Sequence, residues 1–331
     1  MIPLTDPGSH EQSWQWHLTH AIRDINELVR FLNLDGQFDP KPSFPLLVPY
    51  PYAARMRKGD PNDPLLLQVL PDPAERLDRQ GYTTDPLAES DQSPGGGLLH
   101  KYRGRVLVIV SGACAINCRY CFRRHFPYQD FQPDSEGWQD VFEYVRNDSS
   151  ITEVILSGGD PLVLSDKRLA WISETLGEIP HVSTLRIHTR LPVVLPQRVC
   201  PDLTRWIDRC PLKIVVVIHA NHASELDDDV ARAMAKLRDT GSLLLNQSVL
   251  LSGVNDSAAT LADLSRRLFD VDVLPYYLHL PDKVAGTAHF DVAEERARGI
   301  FRELAGELPG YLVPRLAREV PGKRSKITLA F

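Results

Sequence analysis

From Tyr102 onward, apolar positions fall into short β-branched runs separated by longer stretches whose apolar residues recur every three or four positions. The runs predict buried strands at 105–111, 152–157, 183–189, 213–219, 242–250 and 271–279. Between them, stretches such as "SDKRLAWISETLGEI" and "SELDDDVARAMAKLRDTG" predict helices, the second closing on Gly241 where a C-cap is expected. Strands and helices in strict alternation imply a parallel sheet with right-handed crossovers, either an open doubly wound sheet or a barrel short of eight strands. A late "GYLVPRLARE" predicts one more extended piece.

The first hundred residues follow another pattern. "WHLTHAIRDINELVRFLNL" has helical spacing, and the proline-rich "DPKPSFPLLVPYPYAARMRKGDPNDP" that follows cannot run as continuous helix. Gly95 to Gly97 close this part as a flexible joint or tight turn. The chain therefore divides into an N-terminal helical and proline-rich wrap (1–100), an α/β partial barrel (101–290) and a C-terminal helix with a basic segment (291–331).

Polar residues placed just past the strands favour the barrel, because parallel α/β folds hold their active sites there. The first strand is followed by cysteines, the second by "SGGDP", the third by Thr189 and Arg190. The fourth ends at His219 with Asn221, the fifth carries Gln247 and the sixth leads to His279.

Composition narrows the class. With 331 residues and 43% hydrophobic content the chain can bury a large core. No basic start followed by an apolar run opens it, and apolar stretches end after about eight residues, short of the roughly 20 a membrane span needs. A cytoplasmic protein with no membrane partner is expected. A formal charge of −6 argues against a general nucleic-acid binder, although "CRYCFRRHF" is locally basic.

Three of the five cysteines, Cys114, Cys118 and Cys121, fall within eight residues. In a reducing compartment such clustering points to metal or catalysis rather than disulfides. The C-x3-C-x2-C spacing offers three thiolates from one loop, enough for three irons of a 4Fe–4S cubane while one iron keeps an open position. A zinc site completed by His125 or a remote cysteine is the competing reading. Cys200 and Cys210, remote in sequence, are expected to pack as small apolar residues.

This loop, directly after the first strand of a six-unit barrel, resembles the signature of radical S-adenosylmethionine enzymes, whose fold is a partial (β/α)6 TIM-like barrel. "RYCFRRHF", "ILSGGDPL", "RIHTRLPVVLPQRV", "NQSVLLSGVND" and "TAHF" further resemble the lysine 2,3-aminomutases, nearest to the short bacterial branch that makes β-lysine for modifying elongation factor P. The resemblance covers nearly the whole chain, including "YAARMRKGDPNDPLLLQVLP".

The resemblance implies an isomerase that uses a 4Fe–4S cluster, S-adenosylmethionine and pyridoxal 5′-phosphate to convert (S)-α-lysine to (R)-β-lysine. It implies S-adenosylmethionine contacts at Gly158, Gly159 and Asp160, where glycines admit a close backbone and the aspartate suits an ammonium, and at His219 and Gln247. Pyridoxal phosphate requires an anchoring lysine, and the chain has nine. Counting from Pro321 and Gly322 in "EVPGKRSKITL" puts the anchor on Lys326, with Lys323 as competitor, while Arg105 and Tyr102 match residues facing the cofactor's phosphate and ring. Lys323, Arg324 and Ser325 replace glycines of the family pattern. Arg123 matches the arginine for the substrate carboxylate. Of two family aspartates for the distal ammonium, Glu319 keeps the charge and His279 loses it, leaving that role shared with a neighbour such as Asp282.

A flavodoxin-type electron donor and a functional link to elongation factor P and its β-lysine ligase are implied by resemblance alone, and self-association is left open. Another amino acid substrate such as glutamate, or a non-catalytic iron–sulfur sensor, are the alternatives. Glu319 speaks against an anionic side chain, and Arg123 and Lys326 have no use in a sensor.

Overall fold

The computed structural model describes residues 13–36, 42–89, 93, 95, 97–131 and 133–329. The N-terminal dozen residues, part of the proline-rich path and Gly96 of the expected glycine joint lie outside them. Nine strands form one sheet in sequence order: β1 (Leu98–Tyr102), β2 (Arg105–Ser111), β3 (Glu153–Gly158), β4 (Thr184–Thr189), β5 (Lys213–Ile218), β6 (Leu243–Val249), β7 (Leu274–His279), β8 (Arg315–Arg318) and β9 (Ile327–Thr328). The pairs from β2 to β8 are all parallel, and the outer pairs, β1 with β2 and β8 with β9, are antiparallel.

The six expected strands are β2 to β7, with ends shifted by up to three residues. The late extended piece is β8, a seventh parallel strand. β1 and β9 do not pair, so the sheet is a partial barrel with an open seam.

Helices cover the outer face: α1 (Trp14–Thr19), α2 (Ile25–Leu32), α3 (Ser135–Asn147), α4 (Asp166–Gly177), α5 (Pro201–Arg209), α6 (Asp228–Asp239), α7 (Ala258–Asp270) and α8 (Glu294–Glu307). Their starts follow side-chain capping. Asp24, Ser165, Asp227 and Ser257 each accept from a first-turn amide. Asn33 ends α2 in the left-handed conformation.

The N-terminal wrap has no core of its own. Ile22, Leu28, Val48 and Tyr52 belong to the same buried cluster as Leu156 and Ile187 of the barrel strands. A smaller cluster joins α7, α8 and β8 through Leu261, Leu304 and Leu316. Residues 83–85 cross to the loop after β7, where Thr83 donates to the Lys283 carbonyl at 3.0 Å and accepts from Ala285 at 2.8 Å. Among the described residues, no helix is long and apolar enough to cross a membrane.

Candidate active site

The carboxyl ends of the parallel strands open into a cavity of about 270 Å³. Every site residue expected from the sequence lines it: the three cysteines, Tyr102, Arg105, Arg123, Gly158, Gly159, Asp160, His219, Gln247, His279, Glu319 and Lys326.

At one end, the cysteine loop after β2 is pinned from two sides. The glycine turn after β3 packs on its first residues, with Gly159 N donating to Ser111 O at 2.6 Å and Asp160 N to Ala113 O at 2.8 Å. A Cβ on Gly159 would stand 2.3 Å from Ala113 O, so only glycine permits this approach. From the other side comes the wrap. Arg119, fully buried within the loop, donates from Nε to Glu75 at 2.7 Å and from Nη1 to Phe44 O at 2.8 Å, and Arg124 Nη2 donates to the same Glu75 at 2.6 Å.

All three cysteines are free thiols. Burial and the charges of its neighbours, Cys121 first, hold the Cys114 thiol well above its ordinary value, and burial with Cys118 lifts Cys121 to about 11. Cys121 and Cys118 oppose ionisation of Cys114, and Cys118 opposes that of Cys121, so the donor set suits a group that supplies positive charge. Among the described residues no three His, Cys, Asp or Glu side chains gather within reach of a single ion. A cubane does not ask it of them, since each thiolate there binds a different iron. The residues fit such a cluster.

Asp160 differs from expectation in detail. Its buried carboxylate already accepts from Thr189 Oγ1 at 2.7 Å and from the amides of Arg190 (2.8 Å), Leu191 (3.0 Å) and Leu162 (3.0 Å). It clamps the ends of β3 and β4 together with all its acceptor capacity in use, and so faces an incoming ammonium mainly as a charge. His219 and Gln247 are hydrogen-bonded to each other, and burial drives His219 down to about 3, so its ring is neutral.

The opposite end carries an alternating chain of charges. Lys326 Nζ lies 2.5 Å from Glu319 Oε2, and Glu319 Oε1 accepts from Lys101 at 3.0 Å. Lys101 reaches Glu89 at 3.1 Å, and Glu89 holds Arg123 through two bonds of 2.7 and 2.9 Å. Burial alone would raise the Glu319 carboxyl, yet Lys326 and Lys101 outweigh it and hold the group at about 2. Lys323 is exposed and lies off the cavity, whereas Lys326 points into it beside the Tyr277 ring.

Arg105 stacks on Tyr102 at 4.7 Å and has no ion-pair partner among the described residues. A cationic fork open to the cavity, an aromatic wall and an amine across from them suit a phosphorylated aromatic aldehyde. His279 lines the same wall. Burial, then Lys326, push it well below its ordinary value, so it brings no charge for a substrate cation. Asp282 stands in the same wall and is lifted to about 7 by burial and by Glu319.

Sequence reasoning missed Glu89 and Lys101, which come from the segment before the barrel and occupy the charges of Arg123 and Glu319. Lys101 had one sequence signal, a charge next to Tyr102, and Glu89 had none. It also left Arg190 without a role, although Nη1 lies 2.7 Å from Cys118 Sγ.

Residues 108–264 match the family described as the Radical SAM superfamily. The chain is 49% identical to the L-lysine 2,3-aminomutase of Escherichia coli (strain K12), over 99% of this chain and 97% of that one. It is 46% identical to the protein of the same name from Haemophilus influenzae, over 100% and 99%. A third, from Clostridium subterminale, is 35% identical over 95% of this chain and 76% of its own length.

Proposed function

Because this chain belongs to the L-lysine 2,3-aminomutase family of radical SAM enzymes, we propose that it moves the amino group of free lysine from Cα to Cβ, converting (S)-α-lysine to (R)-β-lysine. The single observation that supports this reading is the common cavity. Three thiols at one end and an amine with a phosphate-suited arginine at the other face the same space, between Arg123 and two carboxylates.

A cluster with S-adenosylmethionine supplies a carbon-centred radical, and pyridoxal phosphate supplies a conjugated carrier for the migrating amino group. Cys114, Cys118 and Cys121 would hold the cluster, and the Gly158–Gly159 backbone with His219 and Gln247 would receive S-adenosylmethionine. Lys326 would anchor pyridoxal phosphate, Arg105 its phosphate and Tyr102 its ring.

Arg123 orients the substrate through its carboxylate. Glu319 and Asp282 receive the distal ammonium, which disfavours an acidic side chain in the same place. The neutral rings of His219 and His279 keep the central wall free of a charge that would attract the wrong end of lysine. Glu319 joins Lys326 to Lys101 through its two carboxylate oxygens, so Lys101 takes part in placing the carboxylate that Lys326 meets.

Resemblance to the short bacterial branch supports the further proposal that the product is attached to elongation factor P by a separate ligase, in the cytoplasm. A flavodoxin-type protein would supply the priming electron.

The test is anaerobic incubation of the reconstituted protein with reductant, S-adenosylmethionine, pyridoxal phosphate and lysine, following β-lysine by mass spectrometry. β-Lysine from the parent and none from Cys118→Ala is the expected result. 5′-Deoxyadenosine without β-lysine would move the substrate elsewhere, and the absence of both products would overturn the reading.

A further inference from the structure

Arg190, the first residue after β4, is only 7% exposed. Its Nη2 donates to Glu225 Oε2 at 2.7 Å, to Gln68 Oε1 at 2.7 Å and to Tyr52 Oη at 3.2 Å. Glu225 is fully buried and its other oxygen accepts from Gln68 Nε2 at 3.2 Å and from the amides of Asn221 (2.8 Å) and His222 (3.1 Å). The rings of Tyr52 and Tyr120 flank the guanidinium at 5.5 and 5.6 Å. One edge of Arg190 is thus fixed by protein. The other is not: Nη1 faces Cys118 Sγ at 2.7 Å, and the buried Nε has no hydrogen-bond partner.

An ion pair this deeply buried is weak evidence for stability, because desolvation offsets much of the attraction. Its orientation is what it contributes. The pair points its positive end at the sulfur and its negative end away, in surroundings where salt screens little. Cluster potentials respond to net charge, to hydrogen bonds on the sulfurs and to solvent access, and this arrangement touches all three.

We propose that Arg190, backed by Glu225, sets the reduction potential of the cluster by donating to the Cys118 thiolate, making uptake of the priming electron easier. The inference rests on the assignment of a 4Fe–4S cluster to Cys114, Cys118 and Cys121. The step it affects is a one-electron reduction by an external low-potential donor, in which no bond forms or breaks and no proton moves. Because Glu225 holds Arg190 from behind, the two residues have opposite influences on that step.

The experiment is an anaerobic, mediated redox titration of the reconstituted full chain without S-adenosylmethionine, read by electron paramagnetic resonance, with iron measured in every sample. Arg190→Gln removes the positive charge and the donor. Its reduced-to-oxidised ratio at the parent midpoint should fall about tenfold, which is about 59 mV for a one-electron couple. Glu225→Gln leaves the guanidinium and removes its counter-charge, so its midpoint should move the other way. A merely structural pair would not give shifts of opposite sign.

Should Arg190→Gln lose its iron, the upward shift in Glu225→Gln still decides the matter. Unchanged midpoints in iron-replete variants would overturn the proposal. So would weakened S-adenosylmethionine binding at an unchanged potential, which would make Arg190 a ligand for that molecule's carboxylate. A parent chain that assembles no cluster would instead overturn the cluster assignment itself.

Discussion

Glu89 grips Arg123 with both carboxylate oxygens, at 2.7 Å from Nε and 2.9 Å from Nη2. The remaining edge, Nη1, rests loosely on Ser157 Oγ at 3.2 Å and Gly158 O at 3.4 Å. On the proposed reading that edge would meet the substrate carboxylate, and Glu89 fixes where it points. Arg123→Lys keeps a charge but not the fork. It is expected to raise the KM for lysine tenfold or more, the loss of one charge-assisted hydrogen bond of about 1.5–3 kcal/mol, with a smaller change in kcat. A lost kcat at unchanged KM would remove Arg123 from the carboxylate.

Pyridoxal phosphate should be held by Lys326 alone. Borohydride reduction of the loaded protein, followed by peptide mass analysis, is expected to tag Lys326 and to leave Lys323 and Lys101 unlabelled. Lys101 is bound by two carboxylates and Lys323 lies outside the cavity. A tag on either would relocate the anchor, and Lys326→Ala should carry none.

Lysine binding should weaken as pH falls below about 7. Asp282, held at about 7 by burial and by Glu319, is protonated there, whereas the substrate ammonium stays charged. A cation beside Asp282 favours its ionised form, so binding below that pH releases a proton. KM is expected to rise by up to about tenfold per pH unit below 7. Asp282→Asn should raise KM at pH 8 and flatten the profile, and a flat profile in the parent would separate Asp282 from the substrate.

Glu75 ties the wrap to the cysteine loop. Burial opposes its charge, but hydrogen bonds from Arg119 and Arg124 outweigh that and hold its carboxyl below the usual value. A carboxyl depressed on folding stabilises the protein above the unfolded value, near pH 4.5, and loses that contribution as pH falls through the folded one. Glu75→Gln leaves two buried guanidinium groups uncompensated and is expected to cost about 3–5 kcal/mol, read as a lower urea midpoint. An unchanged midpoint at neutral pH would mean that water had already replaced the pair.

Iron content should depend on three cysteines and not on five. Cys200 sits 3.8 Å from Asp166 and Arg198, among the helices, and Cys210 caps α5. Serine at either should leave about four irons per chain, whereas serine at Cys114, Cys118 or Cys121 should strip the cluster.

Much of this was legible because the strands are buried on both faces and carry continuous β-branched runs, as in "KIVVVI" of β5. The cavity residues were legible because they stand just past those runs. Glu89 was not, since its partner Arg123 is 34 positions away and nothing periodic leads to it. Lys101 was hidden for a geometric reason. Alternation along a strand would send it away from the face that Tyr102 uses, yet the β1 register breaks between Leu99 and Tyr102 and both line the cavity. Counting along the sequence already favoured Lys326 over Lys323, and what the short β8–β9 pairing adds is placement, since Lys326 lines the cavity and Lys323 does not.

The open seam has a mechanical consequence. β1 and β9 are joined by no ladder of amides, and side chains bridge the gap instead, with Lys101 and Tyr102 of β1 both reaching Glu319 beside β8. A cylinder slit along one line bends most readily there. A molecule gripped by Lys326 on one lip and by Arg105 and Tyr102 on the other would act as a brace, stiffening the slit as it occupies it. On the proposed reading, the slit in the sheet and the seat of pyridoxal phosphate would coincide, so that the cofactor closes by its own contacts what the backbone leaves open.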